Sequence, residues 1–214
     1  MKEKYLSILG DSISTYDGVS NDDGANKSTG TNPAFYREPF PLGGTYFMRF
    51  VEEFGLSLCV NNSYSGGNLS GRDNEGSGVN RAKNLGRDDG LMPDIIILFM
   101  GINDLGRGVS EEVFASDYRE TLARLKKYPA TKILCVNLPD RDIFLRDRAE
   151  IFNKIIEDAV REAGERFYLV DLYRSRLRGD FYYMNTLDGL HPDEDGMKII
   201  ADLLIEAAKQ ASEE

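Results

Sequence analysis

The run Ile95-Ile96-Ile97-Leu98-Phe99-Met100 contains no polar residue and no alternation, the pattern of a strand covered on both faces. A strand of that kind needs helices above and below it, so this segment steers the chain toward a parallel sheet between helical layers. Four more short apolar runs, at residues 5–9, 56–60, 132–137 and 167–172, are bounded by turn residues and join residues 94–100 as expected strands. Segments of helical period separate them. Phe47, Met48 and Val51 precede Gly55; Val113 and Phe114 lead through Leu122 to Leu125; Ile151 and Phe152 recur as Ile155 and Ile156. A last helical stretch runs from Met197 through Ile199, Ile200, Leu203 and Leu204 to Ala208. Strand and helix alternate, which predicts an α/β fold: an open parallel sheet of about five strands with right-handed crossovers.

Composition narrows the function. The 214 residues, 41% hydrophobic and 29% charged, suit one globular domain over residues 1–214. A formal net charge of -10 repels polyanions, so neither nucleic acid nor an anionic membrane surface is an expected partner. Cys59 and Cys135 lie inside apolar runs and read as small buried thiols. His191 is the single histidine, which removes every metal site that needs two imidazoles; no metal is expected. The N-terminal apolar stretch stops at Gly10-Asp11, too soon for a secretory segment, and no run approaches the roughly 20 residues of a membrane helix. The expectation is a soluble cytoplasmic protein; the oligomeric state stays open.

In an open α/β sheet the ligand crevice lies beyond the carboxyl ends of the strands. The residues there are Gly10-Asp11-Ser12-Ile13-Ser14, Asn61-Asn62-Ser63-Tyr64-Ser65-Gly66-Gly67-Asn68, Gly101-Ile102-Asn103-Asp104, Leu138-Pro139-Asp140 and, before the last helix, Asp188-Gly189-Leu190-His191-Pro192. Two polar stretches, residues 17–44 and 63–90, break the alternation and are long enough to be functional loops.

Chemistry concentrates at these ends. Asp188 and His191 stand three residues apart in a glycine-containing turn, where the carboxylate can fix the imidazole tautomer and support an imidazolium. Taken alone, such a pair is as readily a surface turn. Ser12 follows the first strand after Gly10, at a tip from which a hydroxyl reaches the crevice, and a serine nucleophile needs a base that only His191 can provide. Asp11 beside it reads as a turn or hydrogen-bonding residue. A tetrahedral intermediate also needs donors aimed at its oxyanion, a role open to Gly66 and Asn103, which could equally be a turn glycine and a capping asparagine.

These blocks occur in the order found in the SGNH hydrolases, and the chain resembles an SGNH (GDSL-type) esterase from the first strand to the helix after His191. The resemblance implies a three-layer flavodoxin-like fold and hydrolysis of an acyl ester through an acyl-enzyme, with no cofactor. By position it implies Ser12 as nucleophile, His191 as base and Asp188 as orienting acid. The backbone N–H groups of Ser12 and Gly66 and the Asn103 amide would form the oxyanion hole. Two departures stand out: Ile13 replaces the usual leucine, and Asn62-Ser63-Tyr64-Ser65-Gly66-Gly67 lacks the first glycine of its block and doubles the last, so Gly67 is the alternative to Gly66.

Family members act on acetylated sugars, lysophospholipids, thioesters and small aryl esters. Tyr16, Tyr36, Arg37, Tyr64 and Arg72 in the polar loops suit a carbohydrate ester better than a long acyl chain, with lysophospholipase and thioesterase activity as alternatives. A rival of another class is a non-catalytic flavodoxin-like domain holding a nucleotide or flavin, for which the glycines of residues 66–71 would cradle phosphate. That stretch lacks the P-loop Lys-Ser/Thr ending and the G-x-G-x-x-G spacing.

Overall fold

Ile96, Ile97, Leu98 and Phe99 are buried on both faces of the central strand, as their unbroken apolar run requires. The structure, a computed structural model, describes residues 3–20, 34–128 and 132–212. Its strands are β1 (Tyr5–Gly10), β2 (Ser57–Ser63), β3 (Ile95–Phe99), β4 (Lys132–Val136) and β5 (Phe167–Val170). They form one all-parallel sheet in the order β2-β1-β3-β4-β5. The order reverses between β1 and β3, and a crevice opens at such a switch point.

The four helical stretches legible in the sequence are α1 (Tyr46–Phe54), α4 (Glu111–Leu125), α5 (Arg146–Ala163) and α7 (Glu194–Gln210). Shorter helices α2 (Gly78–Arg81), α3 (Ile102–Gly106) and α6 (Gly179–Met184) fall where no apolar period is long enough to reveal them. α1 packs with α7, and α4 packs with α5, giving a helical layer on each side of the sheet. Thr45, Ser110 and Asp193 cap α1, α4 and α7 by accepting from the N–H groups of Met48, Val113 and Gly196. Gly55 ends α1 in the left-handed region at φ 58°. No helix among the described residues is long and apolar enough to cross a membrane.

β2 departs most from expectation. It continues past the apolar run through Asn61, Asn62 and Ser63, which pair with Ile8, Leu9 and Gly10 of β1. These polar side chains are buried yet satisfied: the Asn61 amide donates to the Ser14 carbonyl at 2.9 Å, and the Asn62 amide to that of Asn84 at 3.1 Å. The remaining strands end within one or two residues of their expected limits. Residues 21–33 of the first long loop lie outside the described residues; the second loop contains α2. Cys135 is buried, its thiol pushed up to about 12 by burial, and Cys59 is half-buried; both are free.

Candidate active site

The chain leaves β1 through Gly10 into a short 3₁₀ turn, Ser12–Ser14, capped by Asp11, whose carboxylate accepts from the Ile13 N–H at 3.0 Å. Gly10 owes its place to crowding: a Cβ there would lie 2.4 Å from Ser14 Oγ and 2.7 Å from Ser63 Oγ. Asp11 is wholly buried. Burial pushes its carboxyl up to about 7 against the opposing pull of the Ile13 N–H and Arg81, with Asp104 adding to the rise. It therefore serves the turn and does not touch His191.

Ser12 Oγ lies 2.8 Å from His191 Nε2, and His191 Nδ1 lies 2.8 Å from Asp188 Oδ2. The other Asp188 oxygen accepts from the backbone N–H groups of His191 and Leu190 at 2.8 and 3.0 Å. Burial opposes the Asp188 charge, but these donors and the imidazole outweigh it and hold the carboxyl below its ordinary value. Burial depresses the His191 pKa; Asp188 works against that shift and the Arg141 charge adds to it. Burial thus favours the neutral imidazole, with Nε2 able to accept a proton once Nδ1 donates to Asp188. The His191 loop is itself tied down, since Tyr182 and Tyr36 hydroxyls donate to the Leu190 and Pro192 carbonyls at 2.7 and 2.8 Å.

α3 and the residue after it hold the loop that follows β2. The Asn103 amide donates to the Gly67 carbonyl at 3.0 Å and retains a second hydrogen. Asp104, fully buried, accepts from the N–H groups of Leu69 and Ser70 at 2.7 and 2.9 Å. Arg107 donates to the Gly66 carbonyl at 2.6 Å and to Asn68 Oδ1. Gly66 sits at φ 70°, which glycine adopts without strain. Gly67 gives its N–H to the Tyr64 carbonyl at 3.0 Å, whereas Gly66 has no such acceptor among the described residues, so Gly66 keeps the free donor.

The family model for GDSL-like lipases and acylhydrolases matches residues 8–199. The chain belongs to the GDSL-like lipase/acylhydrolase family. It is accordingly a hydrolase of esters. Among solved structures, this acylhydrolase is similar to a GDSL-like lipase from Bacteroides ovatus ATCC 8483, with 22% identity, a TM-score of 0.75 and 98% and 100% of the two chains covered. A GDSL-like lipase from Bacteroides uniformis ATCC 8492 is 25% identical at a TM-score of 0.73, over 98% of this chain and 97% of that one. A family 3 carbohydrate esterase from Clostridium thermocellum shares the fold at 16% identity and a TM-score of 0.65, covering 98% and 96%. No functionally curated protein matches the sequence.

Family membership removes the nucleotide-binding reading, and the loop gives the physical reason. The N–H groups of Leu69, Ser70 and Gly71 that a phosphate would need are bound by the carboxylates of Asp104 and Asp117. Among the described residues no group of His, Cys, Asp or Glu side chains gathers to hold a metal ion.

The acylhydrolase site also contains residues that sequence reasoning missed. Phe35 stacks on the His191 ring, Asp104 and Arg107 brace the Gly66 loop, and Arg81 is buried with no ion pair to a carboxylate among the described residues. The Arg81 guanidinium donates to the carbonyls of Gly76 and Gly10 at 2.9 and 3.1 Å and lies over the Tyr64 ring. Asp104 was visible as the last residue of Gly101-Ile102-Asn103-Asp104; the other three carry no local signal. Of the loop residues expected to meet a sugar, Tyr36 and Arg37 line a groove of about 910 Å³, together with Phe35, Phe40, Leu187 and Glu194. The Tyr36 hydroxyl itself is held by the Pro192 carbonyl, and the other three are engaged elsewhere. The Tyr16 hydroxyl donates to the Phe40 carbonyl, Tyr64 is buried against Arg81, and Arg72 pairs with Asp117 at 2.6 Å.

Proposed function

We propose that the protein is a serine esterase in which Ser12, His191 and Asp188 form the catalytic triad and short acyl esters of carbohydrates are the substrate class. The observation that carries the triad is the unbroken relay of two 2.8 Å contacts from Ser12 Oγ through His191 to Asp188. Ser12 Oγ attacks the ester carbonyl as its proton passes to His191 Nε2, and the imidazolium rests against Asp188. The N–H groups of Ser12 and Gly66 and the free hydrogen of the Asn103 amide receive the oxyanion. His191 then gives its proton to the departing alkoxide, leaving an acyl ester on Ser12. Water, deprotonated by His191, attacks that ester; the proton returns to Ser12 Oγ and the carboxylic acid leaves.

The groove supports the substrate class. Phe35, Tyr36 and Phe40 supply ring faces, and Asp193, Glu194 and Asp195 supply acceptors for hydroxyl groups. It adjoins the triad through Phe35, and through Leu187 and Ser65, the residues just before Asp188 and Gly66. A wall rich in carboxylates suits a polyhydroxylated alcohol and opposes an acyl chain packed along it.

Labelling with a fluorophosphonate, followed by kcat/KM on p-nitrophenyl esters of graded chain length and on acetylated sugars, tests both parts. A single adduct on Ser12 with a preference for acetyl sugars is expected. Labelling at another serine in active protein overturns the triad, and faster turnover of long acyl chains or thioesters overturns the substrate class.

A further inference from the structure

Arg141 is the charged side chain at this sheet edge that keeps a buried donor unpaired among the described residues. It lies in the segment after β4, at the same sheet edge as Ser12 and Asn103, and every neighbour there is committed. The Asn137 amide donates to Asp171, the Leu138 N–H donates to Asn153, and Asp140 pairs with Arg146 at 3.1 Å. The Arg141 Nε atom is buried with no hydrogen-bond partner, and no carboxylate among the described residues forms an ion pair with the guanidinium. Other arginines of this edge are satisfied: Arg107 holds Gly66 and Asn68, and Arg148 holds the carbonyls of Leu105 and Val109. A buried donor without a partner is costly in a folded protein and calls for a ligand or another compensation.

The position of the side chain indicates what it meets. A Cβ added at Gly106 would lie 4.0 Å from Arg141 Nη2, so the guanidinium reaches the end of α3, the helix that carries Asn103. On its other side its charge is felt at His191 and Tyr182, both at the loop that carries the base. The guanidinium thus lies near the end of the helix that carries Asn103 and within electrostatic reach of His191.

Resting on the esterase reading of Ser12, we propose that Arg141 is a substrate-binding residue and that the natural ester carries a carboxylate within reach of its guanidinium. The planar fork of donors matches a carboxylate in bidentate geometry, and a neutral hydroxyl leaves most of it unused. Catalysis adds a second reason. An uncompensated cation near His191 opposes the imidazolium that must form during acylation, whereas a bound carboxylate cancels that repulsion as it binds. Arg141 therefore makes turnover favour the anionic ester over its neutral analogue, in a protein whose net charge of -10 otherwise disfavours anions.

The carboxylate could sit on the acyl or on the alcohol side, and two arms of one experiment separate these sources. The acyl arm compares p-nitrophenyl hemisuccinate with p-nitrophenyl butyrate; the alcohol arm compares acetylated methyl glucuronoside with acetylated methyl glucoside. In one arm the wild type should favour the anionic ester by about tenfold or more in kcat/KM, the effect of a charge-assisted hydrogen bond. Arg141→Gln should bring that ratio close to parity, and Arg141→Lys should retain part of it. No preference in either arm, or a ratio unchanged in Arg141→Gln, overturns the inference. Calorimetric titration of Ser12→Ala protein with succinate and glucuronate, with and without Arg141→Gln, separates this inference from the reading it rests on. Arg141-dependent binding of either anion, with wild-type ester hydrolysis that proceeds at a residue other than Ser12, leaves the inference standing and removes the nucleophile; ester hydrolysis at Ser12 with no such binding does the reverse.

Discussion

The phenyl ring of Phe35 lies flat against the imidazole of His191, with centroids 3.4 Å apart and planes 14° from parallel. Its backbone N–H donates to Thr15 Oγ1 at 2.8 Å, and that hydroxyl donates to the Ser12 carbonyl at 2.8 Å, so the ring that covers His191 is tied to the turn that carries Ser12. The ring keeps water from one face of the imidazole and contributes to the burial that depresses its pKa.

Phe35→Ala should hydrate that face and raise the His191 pKa toward its ordinary 6.5. In the proposed triad the neutral imidazole is the active form, so the acid limb of kcat/KM should move to higher pH. Phe35→Leu, which keeps an apolar cover, should shift it less. A pH profile unchanged in Phe35→Ala would show that the ring does not shield the base.

In the wild type the same burial sets the acid limb below 6.5, because protonation of His191 must overcome desolvation. His191→Gln should abolish turnover, and Asp188→Asn should lower kcat by about 10⁴-fold, since an amide nitrogen cannot accept from Nδ1–H. Single-turnover measurements on folded variants check both. Full activity in His191→Gln would reject the triad.

Asn103→Ala should lower kcat by about a hundredfold or more with little change in KM, as expected for an oxyanion donor. Its bond to the Gly67 carbonyl also predicts a small loss of melting temperature. Asp104→Asn separates bracing from catalysis. It keeps one acceptor for the Leu69 and Ser70 N–H groups and loses the other, which should cost about 1–3 kcal/mol in stability. Denaturation midpoints and kcat measured on the same preparations distinguish the roles; a destabilised Asn103→Ala protein with normal kcat removes Asn103 from the oxyanion hole.

Asp11 predicts a pH dependence of stability with a definite sign. Its carboxyl rises from 3.8 to about 7 on burial, so the folded state holds this proton more tightly than the unfolded chain. The contribution is full below about pH 4 and declines as pH rises toward 7. His191, with its lowered pKa, acts in the opposite direction by favouring folding as pH rises. Asp11→Asn retains an acceptor for the Ile13 N–H and removes the titration. Relative to wild type it should therefore gain melting temperature progressively between pH 4 and 7; a constant offset would show that Asp11 is not the titrating group.

The periodic features of this protein were set by its sequence. Unbroken apolar runs report burial on two faces and helical periods report burial on one, so five strands and the four long helices could be read from segments a few residues long. The Asp188–His191 pair was equally local, since three residues in a turn bring the carboxylate to the ring. Tertiary structure decided what periodicity cannot encode: which distant side chains meet. The strand order β2-β1-β3-β4-β5 brings the ends of strands far apart in sequence to one edge, closing the 179-residue gap between Ser12 and His191. It also set Phe35 on the imidazole, placed Arg107 behind Gly66 and left Arg141 Nε without a partner among the described residues. Each of these depends on a contact between separate segments, and a phenylalanine or arginine in a polar loop has the same local pattern whether it faces solvent or completes a site.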